Sequence, residues 1–256
     1  MKILIVGNSQ ATPLKLANDR FASRLDLNFF VVPGGHGPYL SIKDDKLVVD
    51  IRNEKHPAYA FPEDVPDRPL SDFDIIVVSA LGYVDGGFAF KNPITTLATL
   101  AEFDPIGEAT GRELVSRSCY ATLVAERLRS HHGMRFLHQL VATVSAPVFV
   151  QPFPFPGKAL RAHPDWGLAR DYANPEGAHA FFCQARAKAL KEICDPLGTR
   201  ILPYPEPVWS QSCFSPTELM RETDLIHPNL EHGRMLLEQL ETEIQKSAAS
   251  VASQTL

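Results

Sequence analysis

The chain has 256 residues, 45% of them apolar and 21% charged, with a formal charge of −5 at neutral pH. That composition is enough to bury a full core in one large domain, expected over 1–246. The scattered Lys and Arg residues make no basic stripe for a nucleic-acid backbone, and no apolar run approaches the ~18–20 residues of a membrane-spanning helix.

The run Ile3–Val6 is the first expected strand; with Met1, Lys2 and Gly7 it is too short for a secretory signal and is followed by no small-residue cleavage site. A helix is predicted over Pro13–Leu25, then a strand over Leu27–Val32. Tyr39–Ile51 alternates apolar and polar residues around Asp44-Asp45, the pattern of a hairpin attached to the sheet. Ala58–Pro69, rich in Pro and acidic residues, reads as a surface loop. Further strands are expected at Asp74–Ser79, Pro147–Gln151 and Arg200–Pro203, with helices at Gly111–His132, Met134–Thr143 and Glu176–Asp195. Between them, Gln151–Pro175 is a long loop carrying Phe153, Phe155 and Trp166, either a lid over a pocket or a cap on the sheet edge. A last amphipathic helix runs over Leu230–Lys246, capped by Asn229, with Leu230, Met235, Leu236, Leu240 and Ile244 on one face. The Ala- and Ser-rich residues 247–256 read as a disordered tail.

Short apolar runs alternating with helices imply a parallel sheet covered on both faces. The four cysteines, Cys119, Cys183, Cys194 and Cys213, form no CxxC pair and read as free thiols of a cytoplasmic protein.

The most informative segment is Gly7-Asn8-Ser9-Gln10. A buried strand ends at Gly7 and a helix begins shortly after, with Pro13 suited to its first turn. Ser9 therefore stands at the carboxyl end of the first strand beside a helix N-terminus, where open α/β sheets bind ligands. The helix dipole and main-chain N–H groups there stabilise a developing oxyanion, and a serine in that place attacks a carbonyl if a base reaches it. No GxGxxG or GxxxxGK[ST] phosphate loop occurs in this turn. Ala11 breaks the GxSxG elbow, which in any case follows several strands rather than one. The plainer reading makes Ser9 a helix cap and nothing more.

Near the other end, Asp224 and His227 stand three apart in a loop that Pro228 keeps from continuing as helix. In one turn, that spacing sets a carboxylate against an imidazole and stabilises the imidazolium formed when His accepts a proton. Glu176-Gly177-Ala178-His179 has the same spacing but falls at a predicted helix start, and His131-His132 reads as a solvated helix end. No His pair has zinc-like spacing in a suitable context, so neither metal nor cofactor is expected.

A serine after the first strand, together with Asp224-Leu225-Ile226-His227-Pro228-Asn229 just before the last helix, resembles the SGNH/GDSL hydrolases. Gly7-Asn8-Ser9-Gln10 stands where that family has Gly-Asp-Ser-Leu. Gly34 or Gly35, after the second strand, matches its second block, and Gly82-Tyr83-Val84-Asp85 falls on its Gly-x-Asn-Asp block, with Val84 in place of the asparagine. The resemblance implies a flavodoxin-like three-layer α/β sandwich with a five-stranded parallel sheet. It assigns Ser9, Asp224 and His227 as catalytic residues, and Ser9, Gly34 or Gly35 and Gly82 as oxyanion donors. It also implies an esterase removing a small acyl group from a small-molecule or carbohydrate ester, acetate from a sugar being one example. An acyltransferase in polysaccharide modification fits the same residues, because an acyl-enzyme passes to a sugar hydroxyl as readily as to water. A non-catalytic glycan- or protein-binding module is the third reading, and Val84 is its support.

Overall fold

The computed structural model describes residues 1–21, 23–32, 40–49, 68–80, 98–103, 113–163, 172, 174–206, 208, 213–222 and 224–254, with side chains to 247. In chain order the elements are β1 (Lys2–Gly7), α1 (Thr12–Phe21), β2 (Asp26–Val31), β3 (Leu40–Lys43), β4 (Lys46–Val49), β5 (Ile75–Ser79), β6 (Ala98–Thr99) and β7 (Glu113–Leu114). They continue with α2 (Arg117–Ser130), α3 (His132–Thr143), β8 (Val148–Gln151), α4 (Pro175–Cys194), β9 (Arg200–Ile201) and α5 (Leu230–Gln254).

The five expected strands form one sheet in the order β2-β1-β5-β8-β9, every neighbouring pair parallel. Alternation along β1 divides the interior. Ile3 and Ile5 face α1 and α5 together with Phe29, Ile75, Val77 and Phe149, meeting Leu14, Leu237, Leu240 and Ile244. Leu4 and Val6 face the opposite way, with Phe30, Ile76, Val78, Val148 and Val150, against Leu128, Met134, Leu137, Leu140, Leu190 and Ile193 of α2, α3 and α4. A strand buried on both faces needs an unbroken apolar run, which is what β1 and β5 contain. The result is three layers, helix on sheet on helix. No helix among the described residues is long and apolar enough to cross a membrane.

The order places a topological switch between β1 and β5: the chain leaves β1 toward β2 on one side and later returns to β5 on the other. The crevice at the carboxyl ends of those two strands is the ligand position such sheets offer.

Several local expectations change. Within the expected hairpin Tyr39–Ile51, the described residues Leu40–Val49 do fold as one, with Asp44 and Asp45 both in the left-handed region (φ 50° and 60°), as a two-residue type I′ turn requires. It is a separate two-stranded sheet, joined to the main one by packing of Leu40 and Leu47 into the shared core rather than by strand pairing. β9 stops at Ile201: Leu202 still donates to the Val150 carbonyl (2.9 Å), but Pro203 has no N–H to continue. Helix α2 starts at Arg117 because Ser116 caps it, its Oγ accepting the Cys119 N–H. His131 ends α2 and caps α3 through Nδ1, and both His131 and His132 are half-buried rather than solvated.

Helix α5 continues to Gln254, past the expected end at Lys246, so 247–254 is helical where a disordered tail was expected. Alanines at 248, 249 and 252 favour helix, and Ser247 Oγ both donates to the Glu243 carbonyl and accepts from Arg200. On this helix Leu237 joins the buried face, while Met235 packs toward a second apolar cluster around Phe155, Phe182 and Phe214. Of Ala58–Pro69, all but Arg68 and Pro69 lie outside the described residues, as does Trp166.

Candidate active site

Gly7 ends β1 where the chain passes very close to its neighbours. A Cβ there would stand 2.7 Å from Ala11 Cβ and 2.8 Å from the Ser79 carbonyl oxygen, so the turn closes only with glycine. Asn8 then caps a turn of 3-10 helix over Ser9–Ala11: its Oδ1 accepts the Gln10 N–H (2.9 Å) and its carbonyl accepts the Ala11 N–H (2.8 Å). The other end of the Asn8 side chain donates from Nδ2 to the Ala80 carbonyl (3.1 Å), tying the end of β1 to the end of β5 across the switch point. Ala80 itself is left-handed (φ 53°), a conformation that costs a residue with a side chain about 1–2 kcal/mol. Below it, Ser79 donates to Gln151 Oε1 (3.0 Å), and both are buried. Asn8 is thus a brace for the turn.

The partner arrives from the far end of the chain. Asn229 Oδ1 accepts the N–H groups of Glu231 (3.0 Å) and His232 (3.2 Å), which makes it the cap of α5, as its position predicted. Its Nδ2 donates backward to the carbonyls of Glu218 (2.7 Å) and Met220 (3.2 Å), closing the 219–229 loop. Within the loop Arg221 donates to the His227 carbonyl and Asp224 to the Arg221 carbonyl, both at 3.2 Å. From below, the Gly157 N–H holds the Leu225 carbonyl (2.8 Å). That contact assigns part of the long Gln151–Pro175 loop: its first half, with Phe153, Phe155 and Leu160 buried, is a buttress under the 219–229 loop.

Helix α5 reaches this place because Gly233 lies against α1. A Cβ on Gly233 would sit 2.0 Å from the Pro13 carbonyl oxygen and 2.4 Å from its carbonyl carbon, so the two helices meet backbone to backbone. Since α1 follows Ser9 and α5 follows His227, this contact sets the distance between the two residues.

At the meeting point Ser9 Oγ lies 3.1 Å from His227 Nε2, although the residues are 218 apart in sequence. His227 Nδ1 lies 2.5 Å from Asp224 Oδ2. The second oxygen, Asp224 Oδ1, accepts the N–H groups of Ile226 (2.9 Å) and His227 (3.0 Å). Partial burial pushes the Asp224 carboxyl up, but these two N–H groups and the His227 ring together outweigh it and hold it below the usual carboxylate range. The carboxylate therefore stays ionised at neutral pH and keeps a proton on Nδ1, leaving Nε2 as the acceptor that faces Ser9.

Of the sequence-predicted site residues, the structure brings Ser9, Asp224 and His227 together. Gly34, Gly35 and Gly82, with Val84, lie outside the described residues. His179, read as helix-start chemistry, is buried and directs Nε2 to the Cys213 carbonyl (3.0 Å). The helix start around it does form, capped by Asn174. Asn8 braces the turn, as its position predicts, but its partner Ala80 and the close approach at Gly233 went unread; Gly233 inside a helix, where glycine costs about 1 kcal/mol against alanine, is the signal that pointed to a close approach.

No family model matches the sequence, and no curated relative matches it. Among solved structures the chain is similar to a GDSL-like lipase from Bacteroides thetaiotaomicron VPI-5482, at 10% identity over 96% of this chain and 88% of that one, with a TM-score of 0.44. It is similar to a carbohydrate acetylesterase family member from Sinorhizobium meliloti, at 14% identity, 96% and 98% coverage and a TM-score of 0.42. It is also similar to phospholipase A1 from Streptomyces albidoflavus NA297, at 15% identity, 94% and 98% coverage and a TM-score of 0.47.

Proposed function

We propose that this chain is a serine hydrolase of the SGNH/GDSL type that removes a small acyl group from an ester, with Ser9 as nucleophile, His227 as general base and Asp224 as the group that orients and charges-balances the imidazole. The observation that carries this reading is the continuous row from Ser9 Oγ through the His227 ring to Asp224, assembled from opposite ends of the chain at the carboxyl edge of the sheet.

In the reaction, Ser9 Oγ attacks the ester carbonyl carbon while its proton passes to His227 Nε2. The carbonyl oxygen takes the negative charge. The donors assigned to it are the main-chain N–H of Ser9, beside the start of α1, and those of Gly34 or Gly35 and Gly82. The tetrahedral intermediate collapses, the bond to the alcohol breaks, and the imidazolium returns the proton to the departing oxygen. Water then attacks the acyl-enzyme by the same route, giving the carboxylic acid and free Ser9. Asp224, held ionised by its two main-chain donors, stabilises the imidazolium in both halves.

A fluorophosphonate probe tests this. It should label the protein stoichiometrically at Ser9, and the Ser9→Ala and His227→Ala variants should stay unlabelled. Release of acetate from an aryl acetate and from an acetylated sugar, each with and without a sugar acceptor, then separates hydrolysis from acyl transfer. A folded protein whose Ser9 is never labelled is a binding module.

A further inference from the structure

Strands β8 and β9 are each followed by a proline, Pro152 directly and Pro203 after one more residue, and proline has no N–H to carry the pairing on. Past the last bond between them, from the Leu202 N–H to the Val150 carbonyl, the two segments bound a cavity of about 300 Å³. Helix α4 supplies its other wall with Cys183, Arg186, Ala187 and Leu190, which follow one another along a single face of the helix. None of Ser9, Asp224 and His227 lines this cavity, and the reaction proposed for them uses none of the residues that do.

The lining is apolar and carries a single charge. Phe153, Phe155, Leu190 and Leu202 are all buried. The Tyr204 hydroxyl donates to the Phe153 carbonyl (2.8 Å), and its ring stacks on Phe155 with the centroids 4.3 Å apart, so these walls are set before any ligand arrives. Among the described residues of the lining, Arg186 is the only charged one. It is half-buried, with its guanidinium carbon 5.9 Å from the centre of the Phe182 ring. A guanidinium has five N–H donors in a planar fork, so it can hold a carboxylate through two of them while keeping other partners. A concave apolar space with a few convergent polar groups is the form of a small-ligand site, and this one stands at the lower end of the roughly 300–1,000 Å³ that such sites span.

We propose that this cavity is a second ligand site, which takes a medium-chain fatty acid with its carboxylate on Arg186 and its chain against Phe153, Phe155, Leu190 and Leu202. One cation on the wall balances one carboxylate. A phosphate monoester would bring further negative charge into apolar surroundings, with no second cation among the described lining residues to meet it. A neutral alcohol of the same length would keep the apolar contacts and lose the charge-assisted pair. The thiols of Cys183 and Cys213 complete the wall as small, weakly polar groups that an alkyl chain tolerates. The small volume favours a medium chain over a long one.

Isothermal titration calorimetry of the full chain with sodium octanoate, octan-1-ol and octyl phosphate tests this without any measurement of ester hydrolysis. The parent should bind octanoate at a single site, about tenfold more tightly than octanol, the factor that one charge-assisted pair is worth. Arg186→Met, which keeps the length of the side chain and removes the cation, should weaken octanoate about tenfold and leave octanol unchanged. Ala187→Trp, at an exposed position of α4 that lines the cavity, should fill the space and abolish binding of both. Should Arg186→Met fail to fold, Ala187→Trp and the comparison of ligands on the parent decide. A folded parent that takes up no octanoate, octanol or octyl phosphate binding as tightly as octanoate, or Ala187→Trp binding octanoate as the parent does, each overturns the proposal.

Discussion

Replacing Gly233 by alanine sets two effects against each other. Inside a helix, alanine is better than glycine by about 1 kcal/mol, so helix propensity alone predicts a more stable protein. The structure predicts the reverse. The added Cβ would stand 2.0 Å from the Pro13 carbonyl oxygen and 2.4 Å from its carbon. Ordinary van der Waals contact needs more than 3 Å, and both obstacles are main chain at the start of α1, so α5 has to withdraw by about an ångström. Overpacking of this kind costs roughly 1–3 kcal/mol, which meets or exceeds the gain in propensity. The expected net change is a destabilisation of about 1 kcal/mol, a fall in Tm of roughly 3 °C for a chain this size. The second consequence concerns the site. The same withdrawal acts on Asn229 and the 219–229 loop, and the Ser9–His227 distance of 3.1 Å has little room to grow. Misplacing a reacting group by about 1 Å costs on the order of 100-fold in turnover. Urea denaturation and hydrolysis of an aryl acetate, measured on the same preparation, check both. A Gly233→Ala protein that is more stable than the parent and equally active would refute the claim that this contact sets the site.

The remaining expectations are more direct. Ser9→Ala and His227→Ala should each remove nearly all hydrolysis, and the double variant should be little worse than either, because the members act as a unit; kcat/KM for the three proteins checks it. Asp224→Asn should cut turnover by about 10⁴-fold by supporting the wrong imidazole tautomer, with near-normal circular dichroism. The same variant tests linkage. The Asp224 carboxyl is held below its usual range by its hydrogen bonds in spite of the burial that opposes them, so the stability it adds is fully present above its unfolded pKa of roughly 3.9 and lost as pH falls through the lower folded value. Denaturation of the parent and Asp224→Asn between neutral and acid pH should show the parent's advantage shrinking in that window. Asn8→Ala should cost about 1–3 kcal/mol in urea denaturation, since it strands the buried Ala80 carbonyl and Gln10 N–H together.

The sheet was legible because its strands are buried on both faces. Ile3–Val6, Asp74–Ser79 and Pro147–Gln151 are short, continuous apolar runs between turn residues, and no other element type explains such runs in a chain of alternating helices. Asn229 and the left-handed pair Asp44-Asp45 were legible for a related reason, as caps and tight turns are decided within a few residues. Asp224 and His227 stand in one turn, so their spacing alone predicted that they could meet. What the sequence could not express was contact between distant segments. Nothing near Gly233 says that Pro13 lies against it, and nothing near Gly157 says that it will carry Leu225. Ser9 read equally well as a helix cap and as a nucleophile, because its own neighbours satisfy both descriptions. The close packing of α5 on α1 carries His227 across the sheet edge to within 3.1 Å of Ser9 Oγ, and the proposed role of Ser9 as nucleophile rests on that contact between distant segments.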